Sequence, residues 1–227
     1  MSLMRSLSIS RTARRIVWLA AALCYVPAAG AAMQEVQVPK ADPARLIQQL
    51  REGGLVIYFR HGTTETSGIA EANGVDVSRC DTQRSLTPAG KAQATAIGRA
   101  FTAMHIPVGE VLSSPFCRCK ETAELAFGHY KVSPDLYFAI DANADQTKLF
   151  SDRLRGMLSK RPEGATNNVI ISHTANLKEA AGIWPKPEGV AIIFRPRADG
   201  GFEPIARVLP EEWLGLAQRQ TLSRKTK

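Results

Sequence analysis

Short apolar runs that alternate with helix signals constrain the fold of this chain more than any other feature of its sequence. The runs at residues 55–59 and 169–171 are wholly apolar, which is typical of strands buried on both faces of a parallel sheet. Strands that alternate with helices form layered α/β folds. The pattern therefore predicts an α/β chain, with a three-layer α/β/α sandwich around a mostly parallel sheet.

Caps, prolines and glycines place the other elements. Asp42-Pro43, Thr87-Pro88 and Ser114-Pro115 each pair a capping side chain with proline, the signature of a helix start. A closing hairpin over residues 190–194 and 202–208 predicts an antiparallel edge. The predicted helices span 44–51, 88–104, 114–127, 144–158 and 176–181, with a second strand at 108–112 and a weak strand within 136–140.

The first thirty-one residues have the composition of a secretory signal. Four arginines precede an apolar segment, residues 16–26, which is too short to span a bilayer. Small residues follow, and cleavage is predicted after Ala31. We expect a periplasmic or secreted protein without a stable membrane anchor, and the Sec and twin-arginine routes both stay open.

The remaining chain divides into three parts. We expect an N-terminal extension and helix over 32–53, the main domain over 54–213 and a basic C-terminal tail over 214–227, which is frayed from residue 219 onwards. The formal net charge of the whole chain is +8. Loss of the four arginines of the signal lowers it to +4, so we expect no nucleic-acid partner. The sequence does not indicate which oligomeric state the protein adopts.

Three cysteines remain after processing. Export to an oxidising compartment favours a disulfide. Cys117 and Cys119 lie too close on one helix to pair comfortably. Cys80 is therefore predicted to bridge either Cys117 or Cys119, which leaves one free thiol.

Four basic side chains are predicted to meet at one edge of the sheet. Arg60 and His61 end the first strand, Arg118 begins the helix after the second strand, and His173 follows the strand at 169–171. Ligands of open α/β sheets bind at the carboxyl ends of the strands. Two arginines and two histidines suit a phosphate dianion, and the sequence contains no metal-ligand motif. We expect no metal and no cofactor.

Phosphoryl transfer through a histidine is the chemistry that this set suits. A neutral imidazole attacks phosphorus in line, and guanidinium groups stabilise the charge on the phosphoryl oxygens. Neighbouring cations favour the neutral form of His61.

The motifs resemble those of the histidine phosphatase (phosphoglycerate mutase-like) superfamily, in particular its small exported bacterial members. The matching stretches, in this order, are Arg60-His61-Gly62, Cys80-Asp81-Thr82-Gln83-Arg84, residues 86–94, 113–118 with 121–123, and Ser172-His173. The resemblance covers roughly residues 55–195 and implies the phosphoglycerate mutase-like fold. It implies that His61 is the nucleophile and that Arg60, Arg118 and His173 bind phosphate. It also implies that the Thr64 hydroxyl assists in substrate binding.

The general acid of many family members has no counterpart here. Phe138 stands at the position of the family's glutamate, and no aspartate follows His173. Asp141 is our candidate for the acid, and Asp145 and Glu188 are the other candidates. Arg84 could extend the phosphate pocket, while we expect Trp184 and Trp213 to pack in the interior.

The resemblance predicts an exported phosphatase with a phosphohistidine intermediate. Its substrate would be a small phosphomonoester, a phosphorylated envelope sugar or a phosphohistidine. The alternative is a phosphate- or phosphosugar-binding protein of the same fold with little turnover.

Overall fold

A computed structural model describes residues 35–66, 75–139 and 142–225. Within them the strands are β1 (Val56–Arg60), β2 (Val108–Ser113), β3 (Lys131–Val132), β4 (Asn167–Ser172), β5 (Ala191–Pro196) and β6 (Phe202–Val208). The helices are α1 (Pro43–Glu52), α2 (Pro88–Met104), α3 (Cys117–Phe127), α4 (Ala144–Ser159), α5 (Thr174–Ala181) and α6 (Glu212–Lys225). The predicted signal peptide and Asp141 lie outside the described residues.

The six strands form one mixed sheet in the order β3-β2-β4-β1-β5-β6. β1 and β2 each pair in parallel with β4, and β3 pairs in parallel with β2. β5 runs antiparallel to β1 and to β6, so the hairpin closes one edge as predicted. The carboxyl ends of β1, β2 and β4 therefore lie on the same side of the sheet as the start of β5.

Two apolar clusters cover the two faces of the sheet. One contains residues of α1, α2, α3 and α6 packed on alternate strand positions such as Ile57 and Phe59. The other contains residues of α4 and α5 packed on Val56 and Tyr58. Successive strand side chains point to opposite faces, which is why neighbours in β1 belong to different clusters. The predicted three-layer α/β/α fold is confirmed.

Of the three helices α1, α2 and α3, the first two begin with the side-chain cap that the sequence predicts. The side chain of Asp42 accepts from the Arg45 amide at 2.9 Å, and that of Thr87 accepts from the Gly90 amide at 2.9 Å. α3 differs, because it begins at Cys117 after Phe116, which provides no side-chain cap. Ser114 is used elsewhere, as described below.

One strand prediction was wrong in detail. The expected strand within 136–140 is absent from its described part; residues 134–136 form a 3₁₀ turn, and the strand β3 lies earlier, at Lys131–Val132. After residue 213, α6 continues through Lys225, and Leu216 is buried against the core. Over the described residues, the helices all lack the length and apolarity required to cross a membrane.

Candidate active site

His61 is buried at the end of β1 with a defined tautomer. Its amide donates to the Ser172 carbonyl at 3.1 Å, and its Nδ1 lies 2.9 Å from the Gly62 carbonyl oxygen. A carbonyl only accepts, so Nδ1 carries the proton and the lone pair lies on Nε2. A neutral imidazole in this form is a nucleophile at Nε2.

The turn after His61 is held against α3. The Gly62 amide donates to the Thr122 hydroxyl at 3.0 Å, and that hydroxyl donates to the Arg118 carbonyl at 2.7 Å. Thr122 lies one helical turn after Arg118, so a single hydroxyl couples the turn after His61 to the first turn of α3.

His173 follows β4 and contacts Arg118. The two imidazole rings of His61 and His173 lie 5.5 Å apart between centroids. Nη2 of Arg118 lies 3.4 Å from Nδ1 of His173. A guanidinium only donates, so Nδ1 accepts and Nε2 carries the proton. Nε2 then donates to the Ser114 hydroxyl at 2.8 Å, which explains why Ser114 does not cap α3.

Aromatic rings border these groups. The ring centroids of Phe138 and His173 lie 4.7 Å apart. The Cζ atom of Arg118 lies 4.6 Å from the centroid of the Phe116 ring and 5.6 Å from that of the Phe138 ring. Stacking on aromatic faces stabilises a guanidinium away from water. The position that the resemblance gives to an acid is thus a hydrophobic wall here. We call His61, His173 and Arg118 the histidine side.

A second cluster, which we call the carboxylate side, contains Arg60, Thr64, Arg84 and Glu188. Nη2 of Arg60 donates to Oε1 of Glu188 at 3.0 Å, and Nη2 of Arg84 donates to the same oxygen at 3.2 Å. The Thr64 hydroxyl also donates to Oε1, at 3.1 Å, and the Thr64 amide donates to Oε2 at 3.0 Å. Arg84 also contacts the Thr64 hydroxyl. Arg60, Thr64 and Arg84 therefore meet at the carboxylate of Glu188.

A disulfide fastens the segment that carries Arg84. Cys80 is bonded to Cys117, with their Cα atoms 5.6 Å apart, and Cys119 is buried and forms no disulfide. The Cys117 amide donates to the buried Gln83 side chain at 2.9 Å. The predicted bridge from Cys80 is confirmed with Cys117 as its partner, and it ties residues 80–84 to the first residue of α3.

Burial and nearby guanidinium groups both lower the pKa values of the two histidines. Burial lowers the pKa of His61 well below its usual value, and the positive charges of Arg118, Arg60 and Arg84 lower it further, although the bond to Gly62 opposes this. Burial and the same arginines also lower the pKa of His173 well below its usual value. Both imidazoles are therefore neutral at physiological pH.

The structure thus brings together Arg60, His61, Thr64, Arg84, Arg118 and His173, as the sequence predicts, although their functional roles stay predictions. Of the other acid candidates, Asp145 is exposed in the first turn of α4, whereas Glu188 lies within the site. Sequence reasoning missed the roles of Gln83 and Ser114. Trp213 is buried in the core, as expected.

No metal centre is formed by the part of the chain that the structure describes, since it contains no group of three or more potential ligands in a suitable arrangement. The described donors are mostly cationic or neutral, which suits an anion.

Residues 56–137 match the family model described as histidine phosphatase superfamily (branch 1). No curated protein matches this chain in sequence. The fold is similar to that of the α-ribazole phosphatase from Shigella flexneri, with a TM-score of 0.51, 15% identity, and coverage of 69% of this chain and 96% of that chain. A candidate α-ribazole-5′-P phosphatase from Escherichia coli gives a TM-score of 0.51 at 14% identity, covering 69% and 97%.

The protein histidine phosphatase SixA, solved with tungstate, gives a TM-score of 0.49 at 17% identity, with coverage of 70% of this chain and 98% of that chain. The predicted resemblance to the superfamily, and the phosphatase type of enzyme that it implies, are confirmed at the level of the family match.

Proposed function

We propose that this chain is an exported phosphatase that acts through a phosphohistidine on His61. The proposal proceeds from the match of residues 56–137 to the histidine phosphatase superfamily. The observation that carries the proposal is the tautomer of His61: Nδ1 donates to Gly62, and the lone pair on Nε2 is free to attack. Burial and three guanidinium groups favour this neutral form.

Two displacements at phosphorus complete the reaction. In the first, the Nε2 lone pair of His61 forms the N–P bond while the P–O bond to the leaving group breaks, and the leaving oxygen keeps the electron pair and gains a proton. In the second, water attacks phosphorus, loses a proton, and returns the N–P electron pair to Nε2 as phosphate leaves. We assign to the guanidinium forks of Arg60 and Arg118 the stabilisation of charge on the phosphoryl oxygens.

The proton for the leaving oxygen has no assigned donor among the described residues. Phe138 cannot supply it, and Asp141 is the candidate that the sequence offers. Replacement of Asp141 by asparagine should slow alkyl phosphates far more than aryl phosphates, whose leaving groups depart without a proton. Equal slowing of both classes would point to Asp145, Glu188 or water as the donor.

Export is part of the proposal and rests on the signal-like sequence over residues 1–31 and on the disulfide from Cys80 to Cys117. Mass spectrometry of the protein from its producing cell should find a new N-terminus near Ala32. An intact Met1 would remove this part of the proposal.

The phosphohistidine is tested with His61→Ala. The variant should lose hydrolysis of p-nitrophenyl phosphate and the acid-labile phosphate that rapid quenching traps on the wild type. His129→Ala, which alters an exposed histidine after α3, is the matched control and should keep both. Phosphate binding without turnover by the wild type would instead support the alternative, a binding protein for phosphate or a phosphosugar.

A further inference from the structure

The backbone next to Glu188 is fastened to the nucleophile. The Gly189 amide donates to the His61 carbonyl at 2.8 Å. Gly189 has a φ of +80°, and a side chain at that position would run into Gln93. Only glycine adopts this conformation at low cost and leaves that space free. The chain therefore delivers Glu188 to the site by a rigid backbone contact.

The side chain of Glu188 is mostly buried, with 14% of its surface exposed. It accepts hydrogen bonds from Arg60, from Arg84 and from both the amide and the hydroxyl of Thr64. These are groups that the sequence assigns to phosphate binding. Three of the predicted phosphate ligands thus already contact an anion that belongs to the protein.

These contacts give Glu188 the role of an acceptor. In each of its four hydrogen bonds the carboxylate receives the proton-bearing group, whereas a general acid must donate a proton of its own. The geometry therefore does not support Glu188 as the missing acid. What it provides is a fixed negative charge beside the cations that would receive the phosphoryl group.

We propose that Glu188 is a specificity-determining residue that selects phosphomonoesters without a second negative charge near the phosphoryl group. The inference rests on the proposed phosphatase function and narrows its substrate class to esters of neutral or cationic alcohols. Like charges a few ångströms apart in a partly buried site repel strongly. Rejection of a substrate by an opposing fixed charge is a common route to specificity.

Two compounds of similar size test this directly, glycerol 3-phosphate and 3-phosphoglycerate, which differ in a carboxylate on the leaving group. The measured quantity is the ratio of their kcat/KM values. Wild type should favour glycerol 3-phosphate by about tenfold or more. Glu188→Gln, which keeps the shape and removes the charge, should reduce that preference by about tenfold. Glu188→Asp should retain it.

The ratio separates charge selection from a loss of phosphoryl binding, because both compounds carry the same phosphoryl group and weaker binding of that group by Arg60 or Arg84 lowers kcat/KM for both. Glu203→Gln is the matched control, since Glu203 forms an ion pair with Arg195 at 2.8 Å away from the site, and its ratio should equal that of wild type. An unchanged ratio in Glu188→Gln, or a wild-type ratio near one, overturns the inference. If Glu188→Gln does not fold, Glu188→Ala takes its place.

Failure of the inference is distinguishable from failure of the proposed function. A wild type that hydrolyses p-nitrophenyl phosphate but shows no charge preference retains the function and loses the inference. A wild type that hydrolyses no monoester loses the function. The affinities of the two compounds, measured by calorimetry for wild type and Glu188→Gln, then decide whether Glu188 selects against the second charge.

Discussion

The histidine side and the carboxylate side of the site are built in different ways. His61 and His173 follow strands of the central sheet, and Arg118 lies in the first turn of α3. All three are almost completely buried, and His173 and Arg118 contact aromatic rings. Arg60 and Arg84 of the carboxylate side keep 18% and 28% of their side-chain surface exposed, and Arg84 comes from a segment held by a disulfide. The difference suggests that the chemical step depends most on the histidine side, while the carboxylate side contributes Arg60 to phosphoryl binding and Glu188 to substrate choice.

Arg118 should give the largest loss if this division is right. Arg118→Ala removes a buried guanidinium that contacts His173, and kcat should fall by about 10³-fold, as when a charge-stabilising donor is removed. Arg118→Lys keeps the charge without the planar fork and should recover only part of the rate. Arg99→Ala, on the exposed face of α2, is the control for steady-state assays and should match wild type. A loss below tenfold in Arg118→Ala would contradict the division.

The disulfide should matter next, and mainly for stability. Replacing Cys80 and Cys117 by serine opens a link across 37 residues and should lower the free energy of unfolding by about 2–4 kcal/mol. Because the freed segment carries Arg84, turnover should fall only as far as it does in Arg84→Ala. Urea unfolding with and without reductant tests this. Reductant should destabilise wild type and leave the double variant unchanged.

Much of the histidine side could be predicted from the sequence, because each residue directly follows a predicted strand or begins the next helix. His61 and His173 lie where the apolar runs end. The place of Glu188 could not be predicted in this way, since it depends on a contact between residues 188 and 60 across the sheet. Phe138 shows the same limit: the sequence identifies an absent acid but not the contact between that ring and the ring of His173.

Acid should weaken the fold through the histidine side. The folded-state pKa values of His61 and His173 are lowered, so below the unfolded value of about 6.5 the unfolded chain binds more protons. Stability is then complete above about pH 6.5 and is lost as the pH falls, by up to about 1.4 kcal/mol per histidine for each pH unit. Urea unfolding at pH 7.5 and 5.5 should show less loss in His173→Gln than in wild type. His129→Gln, an exposed control, should lose as much as wild type.

Arg84 should give the smallest of these effects. Its guanidinium is partly exposed and shares Glu188 with Arg60, so Arg84→Ala should lower kcat/KM by about fivefold to tenfold, mostly through KM. Increasing salt should narrow the difference from wild type, because exposed charges are screened. Arg79→Ala provides the control, since Arg79 pairs with Asp81 on the surface. A fall in kcat as large as that of Arg118→Ala would erase the contrast between the two sides.

The reversed direction of β5 explains how a carboxylate reaches this site at all. Ala191, at the start of β5, pairs with Phe59, near the end of β1. In a wholly parallel sheet, the residues that enter a strand lie at the opposite edge from those that leave one. Here β5 runs antiparallel to β1, so the loop that leads into β5 lies beside the end of β1 and contributes Glu188 to the site. In mixed sheets of this kind, residues that precede the antiparallel strand can be as important for ligand choice as residues that follow the parallel ones.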